Sequence, residues 1–66
     1  MTARKLGMKL RKIRTEKKLS QAALAKRVGL SREYVNKIEA GRYDPPLSTL
    51  EALAKALKVK LADLVK

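Results

Sequence analysis

The chain has no cysteine and no histidine in its 66 residues. Without cysteine there is no disulfide and no thiolate chemistry. Without histidine the usual metal ligands and the usual general acid–base group are missing as well. Glu16, Glu33, Glu39, Glu51, Asp44 and Asp63 are scattered, and no nucleophile–base pair can be assembled from what remains, which argues against an enzyme. Phenylalanine and tryptophan are absent, and Tyr34 and Tyr43 are the only aromatic residues, so any core must be aliphatic. No apolar run approaches the roughly 20 residues that span a membrane. The N-terminal stretch also lacks the continuous apolar segment of a secretory signal. These absences lead us to expect a soluble intracellular, cytoplasmic protein with no metal, no cofactor and no evident small-molecule ligand.

What is present is positive charge. Seventeen Lys and Arg stand against six Asp and Glu, a net charge of +11. Such an excess concerns partners rather than fold, and phosphate polyanions and anionic membranes are the two obvious candidates. It is unevenly placed. Arg4, Lys5, Lys9, Arg11, Lys12, Arg14, Lys17 and Lys18 crowd the first 18 residues against Glu16 alone, whereas residues 44–66 are nearly balanced.

With 45% hydrophobic residues the chain suits one small domain over residues 1–66. Helical spacing of apolar residues predicts five helices. Leu6, Leu10 and Ile13 mark the first, over about Ala3–Lys18, with a basic outer face. Ser20 is an N-cap candidate for a second helix, Gln21 to about Val28, with Leu24, Ala25 and Val28 inward and Gly29 as its stop. Ser31 caps a third, Arg32 to about Ala40, which Gly41 ends. Val35 and Ile38 face the core, and Arg32, Glu33, Asn36 and Lys37 fall on the opposite side. After a loop closed by Pro45-Pro46, a fourth helix runs from Leu47 or Ser48 to about Leu57 on a stripe of Leu47, Leu50, Leu53, Ala54 and Leu57. A last short helix covers about Leu61–Val65. No strand pattern, repeat or low-complexity segment interrupts this all-α reading.

Residues 21–40 are the informative stretch: two short helices joined by a tight turn containing glycine, the arrangement of a helix-turn-helix. Ala25 is small where two steeply crossed helices come closest. Ser20 and Ser31 sit at helix starts and count among the candidate DNA contacts, Ser31 because its helix then presents free N–H groups to the phosphate side. Arg32, Glu33, Asn36 and Lys37 lie on the outer face of the second of these helices. Each type has a partner in the major groove: guanine for Arg and Lys, adenine for Asn, cytosine N4 for Glu. At least two of the four are expected on bases. Tyr34 flanks that face, with packing on a neighbouring helix and contact to a phosphate or thymine methyl as alternatives.

Leu6-Gly7, Leu10, Arg14, Leu19-Ser20-Gln21, Leu24-Ala25, Gly29, Ser31, Val35, Ile38-Glu39, Gly41, Pro45, Leu50, Ala54 and Leu57 together resemble the lambda-repressor-like helix-turn-helix family, also called the xenobiotic-response-element type. The resemblance runs from Leu6 to Leu64. It implies a compact five-helix fold, with the second and third helices as the DNA-reading unit. It further implies a phosphate contact from Gln21, a partly buried ion pair between Arg14 and Glu39, and a backbone grip by the loop carrying Arg42 and Tyr43. The chain departs from the pattern at helix ends. Lys58 and Lys60 stand in place of Gly and a Ser-like cap, Pro46 in place of a small polar residue, and Ala23 in place of Glu or Gln.

The resulting expectation is a sequence-specific binder of double-stranded DNA and a transcriptional regulator, most simply a repressor. One reading helix spans few base pairs. A homodimer on a palindromic operator is therefore expected, joined through Leu61, Leu64 and Val65, whose apolar side chains exceed what so small a core needs. Two rival readings are a cationic binder of membrane surfaces and a protein-bridging adaptor of the same fold without DNA affinity. Two N-caps, two glycine stops and a Pro-Pro loop describe a globular bundle rather than an interfacial helix, which disfavours the membrane.

Overall fold

Local chemistry sets most of the helix limits. A computed structural model describes residues 2–66 and contains five helices: α1 (Ala3–Glu16), α2 (Gln21–Val28), α3 (Arg32–Glu39), α4 (Leu47–Ala56) and α5 (Leu61–Val65). Met1 lies outside the described residues. The hydroxyls of Thr2, Ser20 and Ser31 accept hydrogen bonds from the backbone N–H groups of Lys5, Ala23 and Tyr34, each satisfying one of the free donors of a first turn. At α5 the Asp63 carboxylate does this in reverse, accepting from the Lys60 N–H at 3.0 Å. Pro46 precedes α4 with no side-chain cap.

Helices α1, α2 and α4 end the same way, and the shared ending corrects the expected limit of α1. That helix stops at Glu16, short of Lys18, because Lys18 turns left-handed with φ 59°. Its N–H then donates to Thr15 and that of Leu19 to Arg14. Gly29 does the same after α2 with φ 72°, and Lys58 after α4 with φ 57°. In each case the next N–H reaches back to close the last turn, Leu30 to Ala25 and Val59 to Ala54. Glycine meets no steric penalty in that conformation; lysine does.

Leu6, Leu10, Ile13, Leu24, Ala25, Val35, Ile38, Leu53, Ala54, Leu57 and Leu64 form one buried core drawn from all five helices. Helix α1 packs on α3 and α5, α2 on α3 and α4, and α4 on α5. Two expectations about side chains are corrected. Leu47 is 59% exposed, because the buried stripe of α4 begins only one turn later, at the half-buried Leu50. Leu64 is fully buried in the chain's own core, so it cannot line a surface between two copies. Leu61 and Val65, the other two residues assigned to that surface, remain partly exposed.

Gly7 has a role that its helical setting does not suggest. A Cβ there would lie 2.4 Å from the Ile38 carbonyl oxygen and 2.6 Å from that of Glu39. Backbone of α1 thus rests directly on the last turn of α3, and this close approach brings Arg14 within reach of Glu39.

Candidate nucleic-acid interface

Helix α3 is sharply two-sided. Val35 and Ile38 are fully buried, while Arg32, Glu33, Asn36 and Lys37 are exposed together on the outer side. Arg32 Nη2 lies 3.9 Å from Glu33 Oε2, with both side chains more than half exposed, a separation at which the pair contributes little. All four side chains are open to solvent on this side. Ser20 and Ser31 are exposed at the starts of α2 and α3, and Arg42 and Tyr43 are exposed in the loop after α3.

Tyr34 turns toward that loop. Its ring centre lies 5.1 Å from that of Tyr43 at an interplanar angle of 58°, a tilted aromatic contact. Burial raises the Tyr34 phenol above its ordinary value; the Tyr43 phenol adds to the rise and the Thr49 hydroxyl opposes it. The phenol therefore stays a neutral O–H at neutral pH. Tyr34 thus packs on Tyr43 in the loop that also carries Arg42.

Beneath this face lies a polar network. Arg14 Nε donates to Glu39 Oε2 at 2.6 Å and Nη2 to Oε1 at 3.0 Å, a two-pronged pair. The third guanidinium nitrogen, Nη1, donates to the Leu19 carbonyl at 2.7 Å. The side chains are only 10% and 4% exposed. Among the described residues no buried side-chain nitrogen or oxygen lacks a partner. The network continues outward: Gln21 Nε2 donates to Glu39 Oε1 at 3.1 Å, and Asn36 Nδ2 donates to Gln21 Oε1 at 3.3 Å. An unbroken chain of hydrogen bonds thus joins α1, the C-terminus of α3, the first residue of α2 and the exposed face of α3.

Arg14, Gln21, Asn36 and Glu39 are therefore brought together, while Arg32, Glu33 and Lys37 lie outside this network and Leu61 and Val65 lie on α5. The bond between Gln21 and Glu39 was not foreseen from the residues. Its only sequence signal is that Gln21 is the first residue of α2, beside the helix that ends in Glu39.

A helix-turn-helix family model matches residues 10–64. The immunity repressor protein of Bacillus phage phi105 is 47% identical over 60 residues, which are 91% of this chain and 42% of that protein. The present chain therefore spans less than half of that relative's length. The restriction-modification controller protein C.AhdI from Aeromonas hydrophila superposes with a TM-score of 0.91 at 40% identity, covering 94% of this chain and 90% of that one. SinR, a master regulator for biofilm formation solved in complex with DNA, superposes with a TM-score of 0.87 at 27% identity, covering 92% and 98%. The chain belongs to the lambda-repressor-like, or xenobiotic-response-element-type, helix-turn-helix family.

Proposed function

We propose that this chain binds double-stranded DNA in a sequence-specific manner and regulates transcription, acting as a repressor at the nucleoid in the cytoplasm. The observation that carries this reading is the outer face of α3, where Arg32, Glu33, Asn36 and Lys37 are exposed side by side on a helix whose other side is fixed in the core. Laid in the major groove, that face offers donors for guanine and adenine and an acceptor for cytosine. The first turns of α2 and α3 present backbone N–H groups to phosphates. Gln21 and Arg42 supply side-chain donors on either side, contacts that fix register without reading sequence. SinR, of similar fold, has been solved with DNA, and the phi105 relative is an immunity repressor. We extend the reading to a homodimer on a palindromic operator, and it requires no cofactor.

Selection of bound duplexes from a random library tests this directly. Enrichment of one site with two-fold symmetry is the expected result, and recovery of no preferred sequence would reject it. A salt titration on the selected site tests the electrostatic part. If a dimer neutralises about 6–10 phosphates, log affinity should fall against log salt with a slope of roughly −5 to −9.

A further inference from the structure

The DNA-reading face does not use the lysines on the far side of α1. Lys5, Lys9 and Lys12 recur at intervals of four and three residues and so line one side of that helix. Helix α5 packs beside them, and Lys66 stands at its end. Between the two helices runs an open groove of about 430 Å³, floored by Ile13, Val59 and Ala62. It adjoins a second hollow of about 330 Å³ at Met8, a residue that is 63% exposed. The two share Lys9, Lys12 and Lys66. No residue of α2, α3 or the following loop lines either one.

This surface is an apolar floor with a cationic rim. Among the described residues none of its lysines takes part in an ion pair. Two carboxylates border it, Glu16 and Asp63, and the second is engaged with the Lys60 N–H. We propose that the groove docks an acidic amphipathic helix of a partner protein. Carboxylates flanking such a helix would meet the lysine rim, and its apolar stripe would cover Met8, Val59 and Ala62. Lysine suits the task, since its alkyl stem lies along apolar surface while the ammonium reaches outward. From Lys5 to Lys17 the rim extends about 18 Å, the length of some 12 residues of helix. A second copy of this chain is a poor occupant because it would set ammonium against ammonium. A purely polar polyanion would leave the floor exposed to water. Because the reading helices lie elsewhere, the partner and DNA are held at once.

The experiment uses the whole, isotope-labelled chain and two synthetic 15-residue peptides of equal charge. One carries a leucine face and a glutamate face; the other has glutamate with no apolar residue. Saturable amide shifts at Met8, Ile13, Val59 and Ala62 with the leucine-containing peptide are expected, unchanged when duplex is present. Lys9→Glu/Lys12→Glu should weaken that binding at least tenfold with the melting curve preserved. Equal binding by the glutamate-only peptide would overturn the proposal, since the charge field alone would then explain it. So would shifts on α3, displacement by duplex, or binding to phosphatidylglycerol vesicles in place of the peptide. The peptide arm without duplex stands even if the chain proves to bind no DNA.

Discussion

Gln21 Nε2 donates to Glu39 Oε1 at 3.1 Å, and that same oxygen accepts from Arg14 Nη2 at 3.0 Å. One carboxylate therefore serves both the buried ion pair and the residue proposed to fix the register of DNA. Removing it leaves the Arg14 guanidinium buried without its counter-charge, a loss of about 3–5 kcal/mol. A domain of this size typically has only about 3–5 kcal/mol of stability in total. Glu39→Ala is thus expected to be largely unfolded at 25 °C by circular dichroism. A melting curve matching the wild type would show that the pair contributes nothing. Replacing both partners, Arg14→Met with Glu39→Leu, should recover much of the loss, because no charge is then stranded.

The outer end of the network separates register from readout. Asn36 Nδ2 donates to Gln21 Oε1, which leaves the second Nδ2 hydrogen and Oδ1 free and already oriented for a base edge. Gln21→Ala should weaken binding to all duplexes by similar amounts and blur preference only at the base pair facing Asn36. Arg32→Ala and Lys37→Ala should each relax preference at their own base pairs by roughly 1–3 kcal/mol. Repeating the duplex selection with each variant checks this. Unchanged selected sites for both α3 variants would remove α3 from the reading.

Gly7→Ala adds one methyl group in a place that has no room for it. The new Cβ would sit 2.4 Å from a backbone oxygen, which no rotamer change can relieve, so α1 and α3 must separate. Overpacking of this kind costs about 1–3 kcal/mol. The separation also lengthens the Arg14–Glu39 bonds, so the effect should sit at the upper end. Chemical denaturation measures it, and an unchanged midpoint would mean that the helices have slack.

Features governed by neighbours in sequence were legible from the residues. Ser20 and Ser31 cap because a hydroxyl reaches the N–H three residues on, and Gly29 stops α2 because it lacks a Cβ; neither depends on distant packing. The two-sidedness of α3 followed from helical period alone. Features governed by contacts distant in sequence were not legible. Nothing local to Gly7 marks the Ile38 carbonyl that lies against it. Leu47 and Leu64 are both helical leucines, yet one is exposed and the other buried, because only Leu64 meets a core assembled from other helices. The Arg14–Glu39 pair was accessible through family resemblance, but the Gln21 bond that extends it was not.

Lys18 and Lys58 hold the left-handed position that Gly29 fills after α2. The left-handed penalty for a residue with a Cβ is roughly 1–2 kcal/mol, offset in part by the larger entropy that glycine loses on folding. Lys18→Gly and Lys58→Gly should each stabilise the fold by about 1 kcal/mol or less, a rise in Tm of several degrees for a domain this small. Measurement at high salt removes the effect of the lost charge. A lower Tm for both would show that the lysine stems provide packing that outweighs the strain.

The chain measures 25 × 22 × 21 Å, whereas two reading helices on one face of DNA stand about 34 Å apart. A single copy cannot supply both, so a palindromic site requires two. Helix α1 is a poor surface for pairing because its lysines would repel their copies. On α5, Leu64 is committed to the core and Val65 packs partly against it, which leaves Leu61 as the partly exposed apolar residue for a partner copy. Leu64→Glu would therefore unfold the chain rather than report on pairing, and Leu61→Glu is the informative variant. Sedimentation equilibrium with an operator-length duplex should give two chains per duplex for the wild type. For Leu61→Glu, weaker, non-cooperative binding with a near-normal melting curve is expected. A wild type that stays monomeric at high micromolar concentration, and occupies a palindromic duplex as one chain, would exclude the dimer.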